Sequence, residues 1–351
     1  MMQSPGKESK RMYKVVSLFS GCGGMDLGFE STGRFTVAWA NEKNKTTRAT
    51  YEQNFPTTTF DGRDISVINT DDIPECDGVI GGPPCQPFSC AGRMRGVSDP
   101  RGRMFLEFVR VVAAKMPVFI VLENVPLLAS KRYTNTLKTI VSSFEALGYV
   151  VHVRVLHSND YGVAQTRRRL FVVGIRDDPG LGTYAHPTAS VSAPTTLRSS
   201  IADLEYSAIS SRRYKTADPI INAHEHVAIC VVGLSSYFME TQRLRSWDEA
   251  SYTIPASVAS TPFHPSAPKL ERTCAIPTCI SRAERIPVMR MVDGHTYRKL
   301  TARECARIQG FPDDFHFVYK TLGNVHRMIG NAVPPPLAAA VAESVISTLE
   351  W

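Results

Sequence analysis

The sequence predicts an α/β fold: a doubly wound, mostly parallel sheet joined to a second, smaller domain rich in loops and short strands. Three observations carry that expectation. Short apolar runs at Lys14–Phe19, Phe35–Ala40, Asp77–Ile80 and Val118–Leu122 alternate with helical patterns, as in βαβ units. These runs lead into glycines, asparagines or acids, the residue types that open α/β sheets keep at their carboxyl edge. From Asp177 to Tyr297 the texture changes, with frequent Pro, Ser, Thr and His and no sustained periodicity.

The totals bound what such a chain can be. Its 351 residues suffice for a large domain and a smaller one, and 43% hydrophobic with 21% charged residues is a soluble, globular composition. No uninterrupted apolar run approaches the ~20 residues of a membrane span. Residues 1–12 are polar and basic without an apolar core, so they read as a disordered start rather than a signal peptide. The cysteines, at 22, 76, 85, 90, 230, 274, 279 and 305, form no Cys-x-x-Cys pair, which argues against zinc or a disulfide framework and for a reducing, cytoplasmic setting. A net charge of +7 suits a polyanionic partner. Between Gly81 and Arg176 there are fourteen Lys/Arg against five Asp/Glu, so the excess surrounds one particular loop.

That loop is Gly81-Gly-Pro-Pro-Cys-Gln-Pro-Phe-Ser89. The double glycine ends a strand and permits a sharp turn, and Pro83, Pro84 and Pro87 stiffen the loop beyond it. Cys85 is thereby held at a strand's carboxyl end as a candidate nucleophile.

The other elements fall around it. Lys14–Phe19 is the first strand, Ser20-Gly-Cys-Gly-Gly24 the tight turn after it, and Met25–Glu30 the start of a helix, an arrangement that brings backbone N–H groups against a nucleotide-like ligand. The second strand ends in Asn41 and Glu42, where a ribose diol is commonly held. Residues 46–55 and 104–115 read as helices, and Asp61-Gly-Arg-Asp-Ile65 as another acidic strand end. Gly92–Arg103 is rich in Gly and Arg. The central strand at Val118–Leu122 ends in Glu123-Asn124-Val125, on the edge that carries Cys85. Residues 133–147 are helical and 149–156 a strand. In Gln165-Thr-Arg-Arg-Arg169, Gln165, Arg167 and Arg169 would share one face of an extended chain. Thr301 and Glu304 form a capping box for a helix ending near Gly310, and Gly330-Asn-Ala-Val-Pro-Pro-Pro336 opens a last, Ala-rich helix to about Leu349.

Together these segments, from Val15 to Ala342, resemble the motifs of the DNA (cytosine-5)-methyltransferases, of the bacterial modification type. The resemblance implies a Rossmann-like catalytic domain over 13–176 and 324–351, and a target-recognition domain over 177–323 that includes the bracing helix 301–310. It implies S-adenosylmethionine as cofactor, held by Phe19, Gly21, Cys22, Gly23, Gly24, Glu42, Asp64, Ile65, Pro84, Met104, Asn331 and Ala332, with no metal. Lys43 stands where some relatives carry an aromatic on adenine. The catalytic residues implied are Cys85, Glu123, Arg167 and Arg169. Gln86, Ser89, Arg93, Arg95, Arg101, Gln165, Gln242, Arg243, Arg245 and Thr253 are the candidates for contact with double-stranded DNA. The chain is expected to act as a monomer, with a cognate restriction endonuclease as a partner on the same site.

The chemistry suits the residues. Carbon-5 of cytosine is a poor nucleophile until a thiolate adds at carbon-6, the task of Cys85. A cation nearby favours the thiolate, and Arg167 is expected to supply that field and a hydrogen bond to the base's O2. Charge developing at N3 needs a proton or a strong donor, which Glu123 offers if burial raises its pKa. Three rivals stay in view: a tRNA cytosine-5 methyltransferase of the same superfamily, a catalytically silent DNA-binding relative, and a zinc nucleobase deaminase. The last requires Pro-Cys-x-x-Cys, and here Pro84-Cys85 is followed by Gln86-Pro87-Phe88.

Overall fold

A computed structural model describes residues 11–84, 102–205, 208–210, 226–228, 244–267 and 299–350. Seven strands make one sheet: β1 Tyr13–Leu18, β2 Phe35–Asn41, β3 Thr59–Asp61, β4 Gly78–Gly81, β5 Phe119–Asn124, β6 Tyr149–His157 and β7 Arg168–Arg176. Their order is β3-β2-β1-β4-β5-β7-β6. From β3 to β5 every pairing is parallel, whereas β7 runs antiparallel to both of its neighbours. The mostly parallel sheet therefore forms as the sequence predicts. A separate two-stranded pair joins β8 Ala208–Ser210 to β9 His226–Ala228.

Central strands buried on both faces explain the continuous apolar runs. Side chains alternate between two cores by the two-residue period. Val15, Phe119, Val121, Phe171 and Val173 face one core, and Val16, Ile120, Leu122, Leu170 and Val172 the other. The first core is closed by α1 Gly24–Ser31 and by the last helix, the second by α3 Gly102–Lys115 and α4 Thr134–Glu145. Each buried Phe or Leu there contributes roughly 1.5–3 kcal/mol.

A third core lies beyond the β2 side of the sheet. Tyr51 and Phe55 of α2 (Lys45–Asn54) pack there with Phe311, Phe315, Leu197 and Ile201, the last two from the short α5 (Leu197–Ile201). Cys305, Ala306 and Ile308 join them from α6 (Ala302–Gln309). The capping box of α6 is formed: Glu304 N donates to Thr301 Oγ1 at 3.1 Å and Thr301 N donates to Glu304 Oε2 at 2.8 Å.

Two helices follow, α7 Leu322–Asn331 and α8 Pro335–Leu349. The sequence reading has the second and lacks the first, although Thr321 as N-cap and Leu322, Val325, Met328 and Ile329 at helical spacing were the signal. His326 is nonetheless fully buried, within hydrogen-bond reach of Thr261 Oγ1 at 3.2 Å. By length and hydropathy alone Leu322–Leu349 would suffice for a membrane span, but it is two helices broken at Ala332–Pro334, and half of its apolar window is buried in the fold.

Candidate active site

The strand order reverses at β1, whose neighbours are β2 and β4, so a crevice opens beyond the carboxyl ends of these strands. A cavity of about 450 Å³ lies there, running from the glycine turn after β1 to the end of β5. In the turn, Phe19, Gly21 and Gly23 adopt φ of 56°, 58° and 90°, the left-handed region that favours glycine. Gly23 caps α1 without any side-chain bond, which leaves the first N–H groups of that helix free of an intrahelical partner. A Cβ on Gly24 would sit 2.5 Å from the Val333 carbonyl oxygen, so only glycine lets α1 approach the turn before α8.

Glu42, at the end of β2, accepts from Gly21 N at 3.2 Å and from Asn44 N at 2.8 Å, one bond on each oxygen. Asp64 Oδ1 accepts from Ser66 N and Oγ, while its Oδ2 meets Lys43 Nζ at 2.9 Å. The Lys43 ammonium is the main reason that the Asp64 carboxyl lies below its usual range. Ile65, Pro84, Met104, Asn331, Ala332 and Cys22 complete this part of the wall. Cys22 is inert: burial pushes its thiol up to about 12 and its Sγ faces the Met328 carbonyl at 3.6 Å. Of the twelve residues expected at the cofactor, Gly23 alone does not line the cavity, acting instead through its backbone as the helix cap.

Glu123 closes the far end. It is 9% exposed, and its Oε1 lies 2.8 Å from Arg169 Nε. Burial raises its pKa, while the charges of Arg169 and then Arg167 pull it back down. The neighbouring Asn124 donates from Nδ2 to the Pro83 carbonyl at 3.0 Å, pinning the residues that lead into Cys85. Sequence reasoning passed over Asn124, although its place between Glu123 and Val125 was the signal.

Two side chains, Arg167 and Gln165, lie elsewhere than the sequence suggested. Arg167, expected to act on the thiolate and the base, is 1% exposed and absent from the cavity wall. Its Nη2 donates to the Ala332 carbonyl at 2.9 Å and its Nη1 to that of Ile254 at 3.4 Å. Arg169 is the guanidinium that reaches the cavity. Gln165, expected to face DNA, is also fully buried: it donates to the Ile308 carbonyl and to Gln309 Oε1, and accepts from Ile254 N at 3.1 Å. The physical reason is that β7 begins only at Arg168, and Gln165 instead bridges to Ser251, a pairing that turns it into the interior.

Arg245 is committed to Glu249 at 2.7 Å and lies over the Tyr252 ring at 4.2 Å, and Thr253 donates to the Thr166 carbonyl at 3.3 Å. Cys85, Gln86, Ser89, Arg93, Arg95, Arg101, Gln242 and Arg243 lie outside the described residues.

A further acid was missed. Asp26, in the first turn of α1, lines the cavity floor while accepting from Ser17 Oγ at 2.7 Å and from the Tyr51 hydroxyl. Burial pushes its pKa up to about 7.

Crevice, glycine turn, strand-end acids and a buried carboxylate–guanidinium pair on one sheet edge define a class: an α/β enzyme that holds a nucleotide-like ligand beside a reacting centre. Comparison with known proteins makes the class specific. Residues 13–347 match the family described as C-5 cytosine-specific DNA methylase. The chain is 38% identical over 354 residues to the Type II methyltransferase M.NgoPII of Neisseria gonorrhoeae, covering 99% of this chain and 100% of that protein. It is 40% identical over 340 residues to M.FnuDI of Fusobacterium nucleatum, covering 96% and 95%. Among solved structures, a mutant of Spodoptera frugiperda DNMT2 is similar in fold, with a TM-score of 0.65, 16% identity, and coverage of 95% of this chain and 99% of that one. The chain belongs to the C-5 cytosine-specific DNA methylase family. It is thus a DNA cytosine-5-methyltransferase, which decides among the alternatives the sequence left open.

The family's methyl donor is S-adenosylmethionine, and the residues present fit it. A Cβ built on Gly21 would meet nothing within 4 Å, so the glycine faces open cavity where a ligand can lie against the backbone. The acids at the ends of β2 and β3 are held in place beside it.

Proposed function

We propose that this enzyme methylates carbon-5 of a cytosine flipped out of a specific duplex DNA sequence, through a covalent adduct with Cys85. The observation that carries the reading is the Glu123–Arg169 pair, which shares one cavity with the glycine turn, Glu42 and Asp64. Glu42 and Asp64 hold the adenosine part of the cofactor, with Phe19, Gly21, Ile65, Pro84, Met104, Asn331 and Ala332 around it. Bound there, S-adenosylmethionine supplies an electrophilic methyl group.

The Cys85 thiolate adds at carbon-6 and makes carbon-5 nucleophilic. Glu123 meets the charge that grows at N3, and Arg169 orients Glu123 and donates to the base. After methylation a solvent water takes the proton from carbon-5, and the electron pair left behind re-forms the 5,6 double bond and expels Cys85 as thiolate. The base reaches these groups only outside the stack, at a cost on the order of a few kcal/mol.

Residues 13–176 and 324–351 form the catalytic domain and 177–323 the target-recognition domain. Gln86, Ser89, Arg93, Arg95, Arg101, Gln242 and Arg243 contact DNA. The enzyme works as a monomer in the cytoplasm of a bacterial cell, alongside a restriction endonuclease for the same site.

The test is at Cys85. Cys85→Ser is expected to abolish methyl transfer while DNA binding persists. The wild type should form a stable adduct on DNA carrying 5-fluorocytosine, since fluorine does not leave as a proton does. Turnover by the serine variant near the wild-type rate would exclude the covalent route.

A further inference from the structure

The cavity's charges leave one cation over. Asp26, Glu42, Asp64 and Glu123 line it, as do Lys43, Arg169 and Arg327. Lys43 is paired with Asp64 and Arg169 with Glu123. Glu42 is engaged by two backbone N–H groups, and Asp26 by Ser17 and Tyr51. Arg327 makes no ion pair among the described residues.

Its position gives that cation a direction. Arg327 stands on α7 four residues before Asn331, so the two share one helix face, and both border the cavity. Between them Met328 accepts from Cys22 Sγ at 3.6 Å, which fastens this wall of α7 to the glycine turn. On the other side of that turn stands the start of α1, capped by no side chain and pressed against Ala332 and Val333. The Arg327 face of α7 and the positive end of α1 thus bound the same part of the cavity. Glu42 and Asp64, just past the ends of β2 and β3, supply acids on the strand side, and Glu42 is tied to the glycine turn through Gly21 N.

A zwitterionic cofactor carries one carboxylate, and Arg327 is the cation of this lining that no described acid already pairs. We propose that Arg327 is a cofactor-binding residue whose guanidinium pairs with the carboxylate at the amino-acid end of S-adenosylmethionine. This rests on the cofactor reading above and assigns it a further residue. The competing use of an arginine at a cavity rim, a DNA phosphate contact, predicts a different pattern.

The experiment measures affinity, without turnover. Titration calorimetry compares S-adenosylhomocysteine with its carboxamide, which keeps every group but the negative charge, on the wild type, Arg327→Met and Arg327→Lys. The wild type is expected to prefer the carboxylate by about tenfold, as a charge-assisted bond would. Arg327→Met should lose that preference by binding the carboxylate about tenfold more weakly and the amide unchanged, and Arg327→Lys should restore part of it. Equal weakening of both ligands would make Arg327 a structural support of α7 and overturn the proposal. So would unchanged affinity for both, with or without weaker duplex binding. If the wild type bound neither ligand, the cofactor reading itself would fail and this pairing with it. Binding by the wild type that Arg327→Met leaves untouched removes the pairing alone.

Discussion

Arg169 Nε lies 2.8 Å from Glu123 Oε1, with both side chains largely withdrawn from solvent at the rim of the cavity. The pair sets two opposing influences on one carboxyl group. Burial favours the protonated form of Glu123, and the guanidinium favours the charged form. A residue meant to give a proton to N3 and recover it is served by that balance.

Glu123→Gln keeps the size and a donor but removes the titrating proton. Single-turnover methylation of duplex DNA is expected to fall by ~10²–10⁴, the usual worth of a positioned general acid. Affinity for S-adenosylhomocysteine should barely change, since Glu42 and Asp64 serve the cofactor. An unaltered rate in both Glu123→Gln and Glu123→Ala would take Glu123 out of the chemistry.

Removing the cation should move the pH profile in a defined direction. Arg169 lowers the Glu123 pKa, so Arg169→Met lets it rise further. The acid form then persists to higher pH, and the alkaline fall of the single-turnover rate shifts upward even as the maximal rate drops. Rates measured across neutral and mildly alkaline pH check the sign, and a downward shift would contradict the pairing.

Arg167 should behave differently from its neighbour two residues on. Arg167→Met leaves the Ile254 carbonyl unsatisfied, at a cost of about 1–3 kcal/mol, and takes one of two donors from the Ala332 carbonyl, which keeps Gln309 Nε2. A clear loss of Tm is expected there, against a small one for Arg169→Met. Thermal unfolding monitored by circular dichroism distinguishes them.

Asn124→Ala removes the 3.0 Å bond to the Pro83 carbonyl. The net stability lost is about 0.5–1.5 kcal/mol, but the loop entering Cys85 loses its tether. Adduct formation with 5-fluorocytosine DNA should slow by roughly 10- to 100-fold, the range expected when a reacting group is slightly misplaced. Adduct formation at the wild-type rate would show that the bond is dispensable.

Asp26 makes stability depend on pH. Its carboxyl is raised from 3.8 to about 7 in the fold, so the folded state holds this proton more tightly than the unfolded one. Its contribution is therefore full below about pH 4 and is lost as pH rises to about 7, with a slope of up to ~1.4 kcal/mol per unit. Asp26→Asn, which does not titrate, should flatten that stretch of the curve in denaturant unfolding measured from about pH 4 to about pH 8. An unchanged slope would mean that the group is ionised in the fold.

Much of this molecule was settled by its sequence alone, and the reason is local. A parallel strand buried on both faces is nearly all apolar, so Val15–Leu18 (with Ser17 bonded to Asp26), Gly78–Ile80 and Phe119–Leu122 announce themselves, and the polar residues that end them lie on the sheet's edge. The capping box at Thr301 and Glu304 is local in the same sense. Three features were decided only by the tertiary structure. Gln165 and Arg167 are buried because the chain enters β7 late and packs against residues 251–254, far along the chain. The antiparallel register that sets Glu123 opposite Phe171 carries Arg169 to the cavity rim, and nothing in the order of residues 165–169 reveals which arginine gets there. Where helix α7 docks, on α6 and the third core, is the third, since its stripe of Leu322, Val325, Met328 and Ile329 says only that one face is buried. Periodicity reports what a chain can bury, but which polar side chain finds a partner depends on what the fold brings beside it.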